Sequence, residues 1–188
     1  MSEVMLKPIE DKDLLRLWEI SYKHENPDWV HWDAPYLHEY LPLTWQEFLQ
    51  REVKFFQSKR TQGIYLNGEI IGAATYQWKN HEIKWLEVGL SIFVSELWGN
   101  GYGSQAMKNW VTQVFLVEPD VASVGFSTWS ANERVMSMGK TLGFKLEGRA
   151  RKVIFYNDSY YDAVRMGILR EEWFSQMQTT FLNNATLL

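Results

Sequence analysis

The chain has no cysteine at any of its 188 positions. That absence excludes disulfides, thiolate nucleophiles and cysteine-ligated metals together. It also suits a reducing compartment, so the expected location is cytoplasmic. Long apolar runs are missing too. None approaches the roughly 20 residues needed to cross a bilayer, and no membrane partner is expected. The opening stretch MSEVMLKPIEDKDLL lacks the basic region and apolar run of a secretory leader. Positive charge is in deficit: 19 Lys and Arg against 23 Asp and Glu leave a net charge of −4. Such a balance gives no global drive toward nucleic acid. Histidine is scarce, and residues 24, 31, 38 and 81 share no spacing that suggests a metal site, so none is expected.

What the chain has in excess is aromatic surface, 15% of residues with ten tryptophans. Large rings in that number imply broad apolar contacts, either a pocket or a homodimer interface. No repeat, linker or low-complexity run divides the sequence. The expectation is one domain over residues 1–174 and a polar, weakly patterned tail over 175–188.

Periodicity orders the elements. Val4–Ile9 reads as a short strand. Leu14, Leu17, Trp18 and Tyr22 share a helical face, with Asp11 or Asp13 as its cap. A proline- and ring-rich loop follows, and Thr44-x-x-Glu47 forms a capping box for a second helix reaching about Gln57. The Asn67-Gly68 pair marks a hairpin between Gly63–Leu66 and Glu69–Trp78. Trp85–Val94 is a further strand. Ala106, Met107, Trp110, Val111, Val114 and Phe115 form an apolar helical stripe. Val121–Trp129 is a strand and Ala131–Leu142 a short helix, with Ser130-x-x-Glu133 as its cap and Gly143 as its stop. Phe144–Phe155 and Tyr161–Leu169 close the set. The fold class is α/β (α+β), with strands and helices mixed in one domain.

Within this order, residues 96–107 read ELWGNGYGSQAM, with glycines at 99, 101 and 103 between a strand and a helix. A helix N-terminus carries unpaired amides and partial positive charge, so the loop suits a pyrophosphate. It is not a Walker loop, because no lysine follows Gly103. Nor is it a dinucleotide fingerprint, because Ser104 stands where the third glycine belongs. In the preceding strand, alternation places Leu86, Val88, Leu90, Ile92 and Val94 on one face. Glu87, Gly89, Ser91 and Phe93 lie on the other. A glycine inside a strand marks a bulge or a close ligand.

Taken jointly, E-V-G-L-S-I at 87–92, W-G-N-G-Y-G at 98–103, Asn132 with L-G-F at 142–144, E-G at 147–148 and Y-D-A-V-R-M-G-I-L at 161–169 resemble the GNAT superfamily of N-acetyltransferases. The RimJ/RimL-like branch is the most similar part of it. The resemblance spans Val4 to Trp173. It implies a mostly antiparallel sheet, splayed where acetyl-CoA binds and flanked by helices. Ile92, Phe93 and Val94 would offer backbone groups to the pantetheine arm. Gly99, Asn100, Gly101, Tyr102, Gly103 and Ser104 would hold the pyrophosphate. Trp98 stands where many members have Arg or Gln. Asn132 would bond the arm, its other reading being a residue that starts a helix. Glu87 would act as general base, through water, its other reading being an ion-paired structural carboxylate. Many relatives carry a tyrosine acid at the position of Gly139; Ser137 is a poor substitute, and no acid is assigned.

The resemblance also makes the ring-rich loop an acceptor wall, with Trp32, Asp33 and Tyr36 contacting an amine and Trp29, His31 and Tyr40 beside them. The other reading is that these rings pack the helices. The implied reaction is acetyl transfer from acetyl-CoA, with no metal, to a primary amine on a protein N-terminus or a small molecule. A non-catalytic CoA sensor or partner-binding module is the alternative.

Overall fold

The computed structural model describes residues 3–37 and 39–185, with side chains as far as residue 178. Its strands are β1 (Val4–Lys7), β2 (Thr61–Leu66), β3 (Glu69–Asn80), β4 (Trp85–Ile92), β5 (Ser123–Trp129), β6 (Lys145–Tyr156) and β7 (Ser159–Leu169). Its helices are α1 (Leu14–Ser21), α2 (Trp45–Arg51), α3 (Val53–Phe56), α4 (Tyr102–Val117), α5 (Glu133–Thr141) and α6 (Arg170–Ala185). The strands form one seven-stranded sheet in the order β1-β2-β3-β4-β5-β7-β6.

Every pairing is antiparallel except β4 with β5, which registers only Leu86 with Val124 and Glu87 with Gly125. Beyond Glu87 the two strands part, opening the middle of the sheet. Alternation along β4 feeds a different core on each face. Leu86, Val88 and Ile92 join α4 residues Met107, Val111 and Val114 on one side, while Phe93 joins Leu17, Phe48 and Phe56 on the other. The two cores thus cover opposite faces of the sheet around β4, while most of β6 is exposed.

Several local expectations change. The predicted second helix breaks at Glu52 into α2 and α3, although its Thr44/Glu47 capping box is present. Asp13 does not cap α1 through its side chain; its carboxylate instead accepts the Glu10 N–H at 3.1 Å and the Tyr65 hydroxyl at 2.6 Å. Asn132, not Ser130, caps α5; Ser130 Oγ accepts the Asp162 N–H at 3.0 Å. The expected boundary at 174/175 falls inside α6. That helix docks through Trp173, which is fully buried and donates from Nε1 to Thr112 Oγ1 at 3.1 Å. Arg170, its first residue, donates to the carbonyls of Phe115, Glu118 and Val121, closing the C-terminal end of α4.

Candidate active site

The glycine loop leaves β4 through a single 3-10 turn over Ser95–Leu97 and enters α4 at Gly101. Gly99 and Gly101 both sit at φ +81°, and a Cβ added to either would meet nothing within 4 Å. The left-handed backbone, rather than crowding within the protein, is what calls for glycine there. Asn100 holds the turn from inside, donating from Nδ2 to the carbonyls of Leu97 at 3.2 Å and Trp98 at 3.3 Å. No side chain caps α4, and no acidic residue occupies its first turn. The first helical bond runs from Gln105 N–H to the Gly101 carbonyl. The amides of Tyr102, Gly103 and Ser104 thus lie at a positive helix end with no partner inside the helix, which suits a pyrophosphate.

Beside this loop runs the open edge of β4. Phe93 donates its N–H to the Ile71 carbonyl at 2.9 Å, back toward β3. Backbone groups alternate along an antiparallel strand, so those of Val88, Leu90 and Ile92 face the gap. Of the expected backbone partners Ile92, Phe93 and Val94, Phe93 has its N–H turned to β3, and the Val94 carbonyl accepts Leu97 N–H at 3.2 Å. The Ile92 carbonyl in turn accepts Trp98 Nε1 at 2.9 Å. Trp98 therefore pins the loop to the edge. Arg134 lies over its ring at 4.9 Å and over Trp32 at 4.7 Å, joining α5 to both.

Asn132 is engaged at both ends of its amide. Oδ1 accepts the Val135 N–H at 3.2 Å, and Nδ2 donates to the Trp32 carbonyl at 2.9 Å. The helix-start reading of this residue is met, with an added tie to the loop that carries Trp32, Asp33 and Tyr36.

Glu87 is 5% exposed and faces the cleft through the sheet's gap. Ser127 Oγ donates to its Oε1 at 2.8 Å, Arg165 Nη1 pairs with the same oxygen, and Lys79 Nζ stands 3.4 Å from Oε2. Arg165 also reaches Glu147 Oε2 from Nε at 3.1 Å. Gly125 makes room for this: an added Cβ would come within 2.6 Å of the Met166 carbonyl and 3.0 Å of Arg165 Nη2. Sequence reasoning missed Lys79, Ser127 and Arg165. Alternation on β3 could have suggested Lys79, but β7 lying against β5 had no sequence signal.

One cleft of about 1210 Å³ takes in the glycine loop, the β4 edge, Glu87 and the acceptor loop together. Trp32, Asp33 and Tyr36 all line it. Tyr36 rests against Trp129 with ring centroids 5.4 Å apart. Burial, and then the charge of Asp33, raise the Tyr36 phenol above its ordinary value, so it stays protonated. Trp29 reaches the cleft but also packs edge-on to Phe93 at 5.2 Å. Tyr40 stacks on Tyr22 at 6.0 Å and donates to the carbonyls of Ser21 and His24; burial pushes it up to about 12. Tyr40 and His31 line a separate cavity of about 400 Å³. The packing reading thus describes Tyr40, while Trp32 and Tyr36 face the cleft. His38 lies outside the described residues.

This geometry meets a sequence match over residues 3–145 to the family described as Acetyltransferase (GNAT) domain. The chain belongs to that GNAT family.

Over 75 residues it is 33% identical to the SPbeta prophage-derived uncharacterized N-acetyltransferase YokL of Bacillus subtilis (strain 168), covering 40% of this chain and 42% of that protein. Over 111 residues it is 25% identical to YdaF of the same strain, whose name assigns it provisionally to ribosomal N-acetylation; 59% of this chain and 60% of YdaF are covered. The match therefore spans less than two thirds of either relative. Solved structures extend the likeness in fold. A spermidine N-acetyltransferase from Vibrio cholerae, crystallised with CoA and spermine, is 16% identical with a TM-score of 0.71, over 92% of this chain and 98% of that one. A GNAT-family acetyltransferase from Bacillus anthracis is 18% identical with a TM-score of 0.70, over 92% and 100%.

Gly139, where the resemblance puts the tyrosine of many GNAT relatives, is crowded here, and any side chain would require its neighbours to shift. A Cβ would stand 2.7 Å from Phe126 Cζ and 3.2 Å from Met166 Sδ. The core under α5 is filled by Phe126 instead, and a tyrosine in that place would need a different core.

Proposed function

We propose that the protein is an acetyl-CoA-dependent N-acetyltransferase that acts on a primary amine by direct attack in a ternary complex. The observation that carries this reading is the cleft itself. An uncapped α4 N-terminus lined by glycines opens, along an unpaired strand edge, into the same space as the acceptor loop. The first-turn amides of α4 hold the pyrophosphate, with Gly99 and Gly101 shaping the curl and Asn100 bracing it. Leu90 and Val88 present backbone groups to the pantetheine arm, while Asn132 and Trp98 keep α5, the loop and the edge in register. When bound, acetyl-CoA supplies the acetyl group and a thiol leaving group of pKa near 8.5. A cytoplasmic setting belongs to this reading.

Glu87 faces the reaction site, but two cations and a hydroxyl surround it. We assign it the placing of a water or of the incoming amine, from which that water carries the proton away. The demand on such a base is modest for an α-amine, with pKa near 8, and larger for a lysine-type amine near 10.4. The RimJ/RimL-like branch and a protein N-terminus as acceptor are supported by the YdaF likeness. A polyamine acceptor is the second reading, favoured by the spermine-bound fold neighbour.

The test is calorimetric titration with acetyl-CoA, CoA, ATP and NAD, followed by thiol release with an amine panel. Coenzyme binding with amine-dependent thiol release supports the proposal. Tight coenzyme binding with no turnover on any amine would make the protein a sensor. Binding of ATP or NAD in preference to CoA would make the loop a nucleotide site.

A further inference from the structure

The acceptor half of the cleft is distinctive in its rings and its charge. Trp32 and Tyr36 come from the loop before α2, Phe55 from α3 and Trp129 from the end of β5. Trp129 is 5% exposed, enclosed by Tyr36 at 5.4 Å, Tyr156 at 5.8 Å and Tyr161 at 4.8 Å. Its Nε1–H is buried and meets no hydrogen-bond partner among the described residues. A buried indole N–H ordinarily has one, and leaving it unmet is costly. Tyr36 lies against this ring from the loop before α2, and both rings line the cleft.

The charges nearly cancel. Asp33, Glu87 and Glu133 line the cleft, and so do Lys79 and Arg134; Arg165 closes on Glu87 from behind. An extended polyamine needs a succession of carboxylates for its several ammonium groups. Here its second and third charges would meet Lys79, Arg134 or the already paired Glu87.

We propose that the acceptor is a primary amine with one positive charge, carried on an aromatic body that also bears a carbonyl to receive the Trp129 N–H. Polyamines, the second reading above, are disfavoured by the cations that share the cleft. The inference rests on the N-acetyltransferase reading for where the amine binds. The ring meets Tyr36 and Trp129, and the ammonium takes the combined attraction of Asp33 and the ring faces.

The experiment is equilibrium binding to the full chain in the presence of CoA, with thiol release from acetyl-CoA measured beside it. The probes are phenylalaninamide, phenethylamine without the carbonyl, alaninamide without the ring, spermidine, and a dipeptide beginning with phenylalanine. Phenylalaninamide is expected to bind about tenfold tighter than spermidine or alaninamide. Trp129→Phe should weaken phenylalaninamide several-fold while leaving phenethylamine and CoA unchanged. Should that variant not fold, Tyr36→Leu on the surface loop should weaken only the ring-bearing probes. Tighter binding of the dipeptide assigns the site to a chain terminus, and tighter binding of the amide to a free small molecule. Amines that bind in this order without releasing thiol would refute catalysis and uphold the acceptor assignment. Spermidine binding as tightly as phenylalaninamide, or an equal loss for every ligand in both variants, overturns it.

Discussion

Asn132 donates from Nδ2 to the carbonyl of Trp32, 100 residues earlier in the chain, at 2.9 Å. The start of α5 and the acceptor loop are thereby one unit. Asn132→Asp keeps an oxygen for the Val135 N–H but sets a second oxygen against the Trp32 carbonyl. Stability should change by less than about 1 kcal/mol, since the cap survives. The amine KM should rise several-fold as the loop detaches. Asn132→Ala loses the cap as well, and should lower stability by about 1 kcal/mol. Steady-state kinetics and thermal melting of both variants check this; an unchanged amine KM in Asn132→Asp would remove the tie from the account.

Glu87 belongs to a buried ionic cluster as much as to a reaction site. In Glu87→Gln, Arg165 and Lys79 lose a charged partner, and stability should fall by about 2 kcal/mol. That is less than a fully buried pair would lose, because both cations keep some exposure to water. Turnover should fall by about tenfold or more if the carboxylate positions the proton acceptor, with acetyl-CoA affinity nearly unchanged. Denaturant titration separates the two effects. Full turnover under conditions where chemistry limits the rate would leave Glu87 a structural anion.

The difference between these two residues bears on what could be read beforehand. Alternation along 86–94 placed Glu87 and Phe93 opposite Leu86 and Ile92, because a strand's period is written locally. The capping box at Thr44 and the hairpin at Asn67-Gly68 are local too, and both stand in the structure. The partners of Glu87 depend instead on sheet order. Arg165 reaches it only because β7 inserts between β5 and β6 and because Gly125 leaves the space, and neither fact has a short-range pattern. Trp98 illustrates the same limit. Its place in the loop was legible, but its bond to the Ile92 carbonyl needed the strand edge to be open. The polar surface of α6 concealed a helix whose anchorage rests on Trp173 and Arg170, single residues rather than a stripe.

Gly101 is required by its backbone. Gly101→Ala puts a Cβ into empty space but at φ +81°, a conformation that costs a non-glycine residue about 1 kcal/mol or more. The relief is to rotate the peptide, which turns the first amides of α4 away from the cleft. Melting temperature should fall slightly, and acetyl-CoA affinity should fall by more than tenfold, about 1.4 kcal/mol. Retained affinity in calorimetry would mean that the loop does not hold the pyrophosphate.

Gly139 is the converse case, required by space. Gly139→Ala places a methyl 2.7 Å from the Phe126 ring, and overpacking of this kind costs about 1–3 kcal/mol. The loss should appear in urea unfolding while coenzyme affinity stays close to that of the parent. The double variant Gly139→Ala/Phe126→Leu should recover part of it. A neutral Gly139→Ala would show that α5 shifts freely over the sheet.

Acid should weaken the β6–β7 hairpin through Asp162. Its carboxylate accepts the Lys152 N–H at 2.8 Å and Arg149 Nε at 2.6 Å. These bonds, the backbone one first, hold its pKa below the ordinary carboxylate value. A depressed folded-state pKa means that the unfolded chain binds the proton more readily. The stabilisation is therefore complete above about pH 4, where the unfolded carboxyl is also ionised, and is lost as pH falls through the lower folded value. Asp162→Asn should be less stable than the parent at neutral pH and should lose less on acidification, so the two curves converge below pH 4. Glu172 is held down in the same direction by Lys145 and the Leu169 N–H, so Asp162→Asn flattens the acid limb only in part and Glu172→Gln removes a further share. Urea midpoints across a pH series measure both. Parallel curves for the parent and Asp162→Asn down to the lowest pH would show that Asp162 titrates alike in the folded and unfolded chains, and that the hairpin is held by its backbone ladder alone.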